Sequence, residues 1–140
     1  MSCISDPLAL DAGGVKLKVP VVIASGTWPY EAGLWTDDLT RHVGAICSKA
    51  ITKDPCAGNP GCRVWETPSG VLNSIGLQNE GVDRFIDLRL PDLKKRGVPV
   101  MLNVCMQSAE DLAYMMDRIA EAKDLVDGVE LNVSCPNTDH

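Results

Sequence analysis

The sequence places a thiol directly in front of a proline, Cys135 in the stretch VELNVSCPN, where an apolar run gives way to polar residues. A cysteine nucleophile ordinarily needs a histidine to form its thiolate. His42 and His140 are the only two histidines, and spacing sets neither as that partner. A thiol can also act as a general acid or base on a carbon-bound proton. A half-buried, unreactive strand-end thiol is the competing reading. Lys49 raises a similar question, because it follows the apolar AIC at the end of a short run. A charged side chain there suits a nearby anion, or simply snorkels to solvent. Asn103 and Asn132 each stand near the end of an apolar stretch. One buried asparagine is usually a structural hydrogen-bonder, whereas two at equivalent positions suggest a site for a polar ligand. Asn73 and Gly76 in GVLNSIGLQN add an amide and a place where backbone can approach a ligand closely, although turn chemistry explains an isolated pair equally well.

These groups need elements to position them. LALDAGGVKLKV reads as an N-terminal β-hairpin turning at Gly13-Gly14. Val21 to Ala24 is a short apolar strand that ends in Ser25-Gly26-Thr27. DDLTRHVG is a short helix, and AICSKA (45–50) a second strand. The segment 51–79 has no sustained period and reads as a long functional loop. Residues 81–97 are helical with a break or kink at Pro91. VPVMLNV (98–104) is a third strand. Ser108 caps the next helix, with Asp111 completing a capping-box pattern and Leu112, Met115, Met116 and Ile119 forming its apolar face. VELNVSC is the fourth strand. Short apolar strands alternating with helices predict a parallel α/β sheet. An open doubly wound sheet and a (β/α)8 barrel both satisfy that order. The first strand runs into ASGTWPY, not a G-x-G-x-x-G dinucleotide fingerprint. Polar groups at the ends of all four strands favour the barrel, whose enzymes build their sites there. Four strands make half a barrel, so the expected domain is one N-terminal half-barrel over residues 1–140.

Composition bounds the function. The chain is 45% hydrophobic and 23% charged, with a net charge of −6 and a pI near 4.8. Nucleic-acid and anionic-membrane partners need clustered cations. The basic run Lys94-Lys95-Arg96 instead suits the last turn of a helix. No apolar run reaches the ~20 residues of a membrane span, and the first residues lack a secretory pattern. The six cysteines form no C-x-x-C pair and no zinc-ligand spacing, so the expectation is reduced thiols, no metal site and a cytoplasmic location.

At this level of detail the residues are similar to a known family. ETPSGVLNSIGLQNEGVD and VELNVSCPN, together with SKAITKDPCAGNPGCRVWETP and VPVMLNV, resemble the class 1 dihydroorotate dehydrogenases of pyrimidine biosynthesis. The ETP…GLQN wording is nearer the NAD-linked 1B subclass than the fumarate-linked 1A. The resemblance implies a flavin-dependent TIM barrel that oxidises dihydroorotate to orotate with FMN. It also implies a partner subunit carrying FAD and an iron–sulfur cluster that passes electrons to NAD, and an oligomer for the full-length form. Cys135 matches the catalytic cysteine that removes the C5 proton while hydride leaves C6. Ser25, Lys49, Ala50, Asn103 and Asn132 match FMN-contacting positions. Lys49, Asn73, Ser74, Ile75, Gly76, Leu77, Asn132 and Asn137 match substrate-contacting ones. Cys105-Met106, Glu80 and the NPGCR stretch depart from the usual pattern without removing a catalytic group. The family's barrel is about twice this length, and its second flavin-contacting lysine would lie beyond His140. The 140 residues alone are therefore expected to be inactive. Two other readings stand beside this one: a truncated, non-catalytic half-barrel that self-associates or binds a partner through open edges, and an enzyme of the dihydropyrimidine dehydrogenase kind.

Overall fold

A computed structural model describes residues 7–27 and 36–133. Strands β1 (Leu10–Ala12) and β2 (Val15–Leu17) form the expected N-terminal hairpin. Gly13 and Gly14 make its two-residue turn with φ of 63° and 98°, values that glycine reaches without a steric penalty. The central element is a four-stranded parallel sheet in the order β3 (Val22–Ile23), β4 (Ala45–Cys47), β7 (Val100–Cys105), β8 (Gly128–Asn132). Consecutive parallel strands with helical crossovers are the repeating unit of a (β/α)8 barrel, and four of them make half of one.

The crossovers explain the sheet's stability. Helix α1 (Asp37–Arg41) starts at Thr36, whose hydroxyl accepts the N–H of Leu39 at 3.2 Å. Ahead of β7 the chain runs through α2 (Val82–Arg84), a wider π turn (Phe85–Arg89) and α3 (Leu90–Lys94). The π turn is the local answer to Pro91, which has no N–H and crowds the carbonyl one turn back. Leu90 donates instead to the carbonyl of Phe85, five residues earlier. Helix α4 (Ala109–Glu121) begins at Ser108, whose Oγ accepts the Asp111 N–H at 3.0 Å. The Asp111 carboxylate does not close a reciprocal capping box; it pairs with Lys53 at 3.2 Å.

The sheet's outer face packs against these helices. Val100, Leu102 and Val104 meet Val82, Phe85, Leu90, Leu93, Met115 and Ile119 in one buried cluster. Each such side chain contributes roughly 1.5–3 kcal/mol relative to an exposed one. Met116, expected on the apolar face of α4, is 39% exposed, because the helix presents only a narrow stripe to the sheet.

The segment 51–79 is not loop throughout. It contains an antiparallel hairpin, β5 (Val64–Thr67) and β6 (Gly70–Asn73), with Trp65 opposite Leu72. Both of those side chains are exposed, so no hydrophobic alternation marked these strands in the sequence.

Candidate active site

Because the four strands are parallel, the residues that end them share one rim. β3 runs into a turn in which Thr27 donates both its N–H (3.2 Å) and its hydroxyl (2.8 Å) to the Ala24 carbonyl. This turn exposes Gly26 beside Lys49, whose Nζ lies 3.8 Å from the point where a Gly26 Cβ would sit. The structure thus brings Lys49 beside Gly26, the neighbour of half-buried Ser25, across adjacent strands.

Lys49 owes its direction to an irregularity in the ladder. Cys47 pairs with Met101 and Ile51 bridges Val104, so the chain leaving β4 advances four residues while β7 advances three. The extra residue is a bulge, the usual device for re-aiming a side chain near a site. Ser48 pins it, donating to the Lys49 carbonyl at 3.0 Å and accepting the Asn103 N–H at 3.0 Å from full burial. The charge of Lys49 was conspicuous in the sequence; the serine that sets its geometry was not. Ala50, in the same bulge, is buried.

Asn103 departs from expectation. β7 continues through Cys105, so Asn103 lies inside the strand and pairs with Glu130, while Cys105 is the partner of Asn132. The two asparagines are therefore two residues out of register, not at equivalent barrel positions. Asn103 is 4% exposed and donates its Nδ2 to the Glu130 carboxylate, leaving its buried Oδ1 without a hydrogen-bond partner. The same carboxylate oxygen accepts from the Cys47 thiol at 3.3 Å. Burial, and then the carboxylate beside it, push the Cys47 thiol up to about 12. Cys47 is accordingly a protonated structural donor, and Glu130, which the sequence did not single out, organises the inner face. Asn132 ends β8, half-buried.

The second cluster is the segment Asn73 to Leu77. Asn73 ends β6 and is exposed. Beyond it, Ser74 donates its N–H to the Arg63 carbonyl at 2.9 Å and accepts the Asn59 side-chain amide at 2.8 Å. Ile75 O accepts the Asn59 N–H at 3.0 Å, and Gly76 O accepts the Cys56 thiol at 3.3 Å. A Cβ at Gly76 would stand 2.4 Å from the Asn59 Oδ1, so the glycine is required by close approach as well as by its φ of 72°. Arg63 ties this region together, donating to Asn59 O, to Gln78 Oε1 at 2.7 Å and to Ala57 O at 2.9 Å. A cleft of about 730 Å³ opens beside Lys49, lined also by Cys56, Gln78, Asn79 and Phe85 among others, with none of Asn73 to Leu77 in its wall. That volume is in the range of small-molecule sites.

Cys135 and Asn137, the remaining site residues expected from the sequence, lie outside the described residues. Cys47, Cys56, Cys62 and Cys105 are free thiols, Cys62 being exposed at the surface rather than buried as a small hydrophobe. Among the described residues no helix is long and apolar enough to cross a membrane, and no cluster of His, Cys, Asp and Glu has the makings of a metal site.

Comparison with known proteins gives these features a lineage. Residues 8–140 match the sequence model of the family described as dihydroorotate dehydrogenase. A relative from Thermoanaerobacter sp. (strain X514), named dihydroorotate dehydrogenase B (NAD(+)), catalytic subunit, is 48% identical over 132 residues, covering 93% of this chain and 42% of the relative. A protein of the same name from Malacoplasma penetrans (strain HF-2) is 45% identical, with the same two coverages. Among solved structures, a DHODH from Eimeria tenella in complex with ferulenol superposes with a TM-score of 0.70. It covers 96% of this chain and 39% of its own, and at 23% identity it shows the shared barrel fold alone. The chain spans about 42% of the length of these curated relatives. By the match across nearly all of its residues, the chain belongs to the dihydroorotate dehydrogenase family.

Proposed function

We propose that the protein carrying this chain oxidises dihydroorotate to orotate with FMN in pyrimidine biosynthesis, as the catalytic subunit of an NAD-linked enzyme. In this reading it works in the cytoplasm as an oligomer, and a partner subunit with FAD and an iron–sulfur cluster relays its electrons to NAD. The observation that carries the reading is the rim of the parallel sheet, where a bulge turns Lys49 beside the Ser25-Gly26 turn in a chain of this family. Those residues fit a flavin. The turn offers backbone at the lysine ammonium, and Asn103 carries a buried amide oxygen with no partner.

FMN bound there would supply the acceptor for the hydride leaving C6 of the substrate. The chain's own residues do the rest. Lys49 offsets the negative charge of ligands at the rim, an interaction strengthened where water is excluded. Asn73, Asn132 and Asn137 orient the ring and carboxylate of dihydroorotate, with the backbone of Ser74 to Leu77 beneath it, so that reacting atoms meet in near-attack geometry. Cys135, as thiolate, accepts the C5 proton and becomes a neutral thiol.

The test is anaerobic addition of dihydroorotate to the purified full-length protein that carries this chain. The expected result is a yellow flavoprotein that bleaches with dihydroorotate and not with dihydrouracil. A colourless protein without dihydroorotate oxidation overturns the proposal, and preferential bleaching by dihydrouracil moves it to the dihydropyrimidine dehydrogenases.

A further inference from the structure

Asn79, the last residue of GLQN, has every hydrogen-bonding capacity of its side chain filled. Its Oδ1 accepts the N–H of Thr52 at 3.2 Å and of Gly81 at 2.9 Å. Its Nδ2 donates to the Leu77 carbonyl at 2.6 Å and to the Thr52 hydroxyl oxygen at 2.9 Å. That hydroxyl spends its own proton on the Asp54 carbonyl at 2.6 Å, so towards Asn79 it is an acceptor. An amide has two donor hydrogens and two lone pairs; all four are used, and the network permits one orientation of the group. The main chain of Asn79 adds a pair of bonds with Cys56, at 3.0 and 2.9 Å.

The three segments held this way are those that matter to the site. Thr52 lies three residues after Lys49, Gly81 caps α2, and Leu77 ends the segment that begins at Asn73. Leu77 is also the one described non-glycine residue with positive φ, at 55°. A non-glycine side chain there costs of order 1–3 kcal/mol and persists only where its surroundings hold it. The carbonyl of this strained residue is the one that Asn79 Nδ2 captures.

We propose that Asn79 is a positioning residue: it holds the left-handed Leu77 turn, and with it the Asn73–Leu77 segment, in register with the Lys49 segment, so that the substrate-orienting groups are assembled before substrate arrives. This rests on the proposed role of residues 73–77 in binding dihydroorotate. Asn79→Asp separates holding from folding. A carboxylate still accepts the Thr52 and Gly81 N–H groups, but it has no proton for Leu77 and sets an oxygen against that carbonyl.

The experiment compares the flavin-loaded wild type with Asn79→Asp in orotate dissociation constant, KM for dihydroorotate, FMN content and amide hydrogen exchange by segment. The expected result is an orotate dissociation constant and a KM raised about tenfold, with unchanged FMN content. Faster exchange should be confined to residues 70–81. Equal orotate affinity in the two proteins overturns the proposal. So does exchange that rises equally in Val100–Cys105 and Ala109–Glu121, the mark of general loosening. A wild type that binds no orotate overturns the functional reading instead, and this proposal with it.

Discussion

The two faces of β7 differ more than any two elements of the fold. Val100, Leu102 and Val104 point outward into the helices and are fully buried in an apolar cluster. Met101, Asn103 and Cys105 alternate with them, and Asn103 joins Cys47 and Glu130 in a polar group on the inner side. The same six residues therefore serve two purposes. The outward set holds the sheet by non-directional burial, which tolerates any well-packed apolar group. The inward set depends on directed hydrogen bonds, where one lost partner strands another. Stability and function should separate along this division, and substitutions on each face can show whether they do.

The largest effect should come from the outer face. Leu102→Ala is expected to lower stability by about 2–5 kcal/mol through lost burial and the cavity left behind. Urea unfolding measures this, and the protein that remains folded should bind flavin as before; a flavin defect without lost stability would break the division. Next, Lys49→Met at the rim should weaken orotate binding by about 1.5–3 kcal/mol, the worth of a charge-assisted hydrogen bond. Titration calorimetry reads this, with the unfolding midpoint expected to hold.

The inner face should also reveal itself through pH. The Cys47 thiol sits at about 12 in the folded chain against an ordinary 9.0. The folded state therefore keeps a proton that the unfolded state gives up, and the associated stability is present below pH 9 and lost as pH rises towards 12. Urea midpoints followed into alkaline pH should fall, and Cys47→Ala should flatten that decline; parallel slopes for the two proteins would remove Cys47 as its source. Smallest is a change belonging to neither face. Ser108→Ala removes the N-cap of α4 and should cost about 1 kcal/mol, seen in thermal unfolding, with no effect on ligand affinity.

How much of this was legible in the sequence differs between local and distant features. The Gly13-Gly14 turn and the Ser108 cap were readable because each depends on residues within a few positions. The β5–β6 hairpin was not, because Trp65 and Leu72, opposite each other in register, are both exposed and leave no buried face to create a period. Pro91 announced a disturbance, but only the folded chain resolves it into a π turn. In the site, Lys49, Asn73 and Asn132 were visible as polar residues in apolar surroundings. Ser48, Glu130 and Asn79 were missed because each does its work on a residue distant in the chain: Ser48 on Asn103, Glu130 on Cys47, Asn79 on Thr52. Ser48 and Asn79 stand beside polar neighbours and carry no mark of such a contact, and Glu130, between Val129 and Leu131, reads as an ordinary polar step of an alternating strand.

The sequence by itself determined the family and the parallel α/β order of elements, because these follow from motif wording and from periods of a few residues. Only the tertiary structure decided register. It put Asn103 two residues out of step with Asn132, placed a bulge under Lys49 and closed four bonds around Asn79. Register is the sum of many long-range pairings, none encoded in a short stretch, and a shift of one residue would send every side chain of a strand to its opposite face.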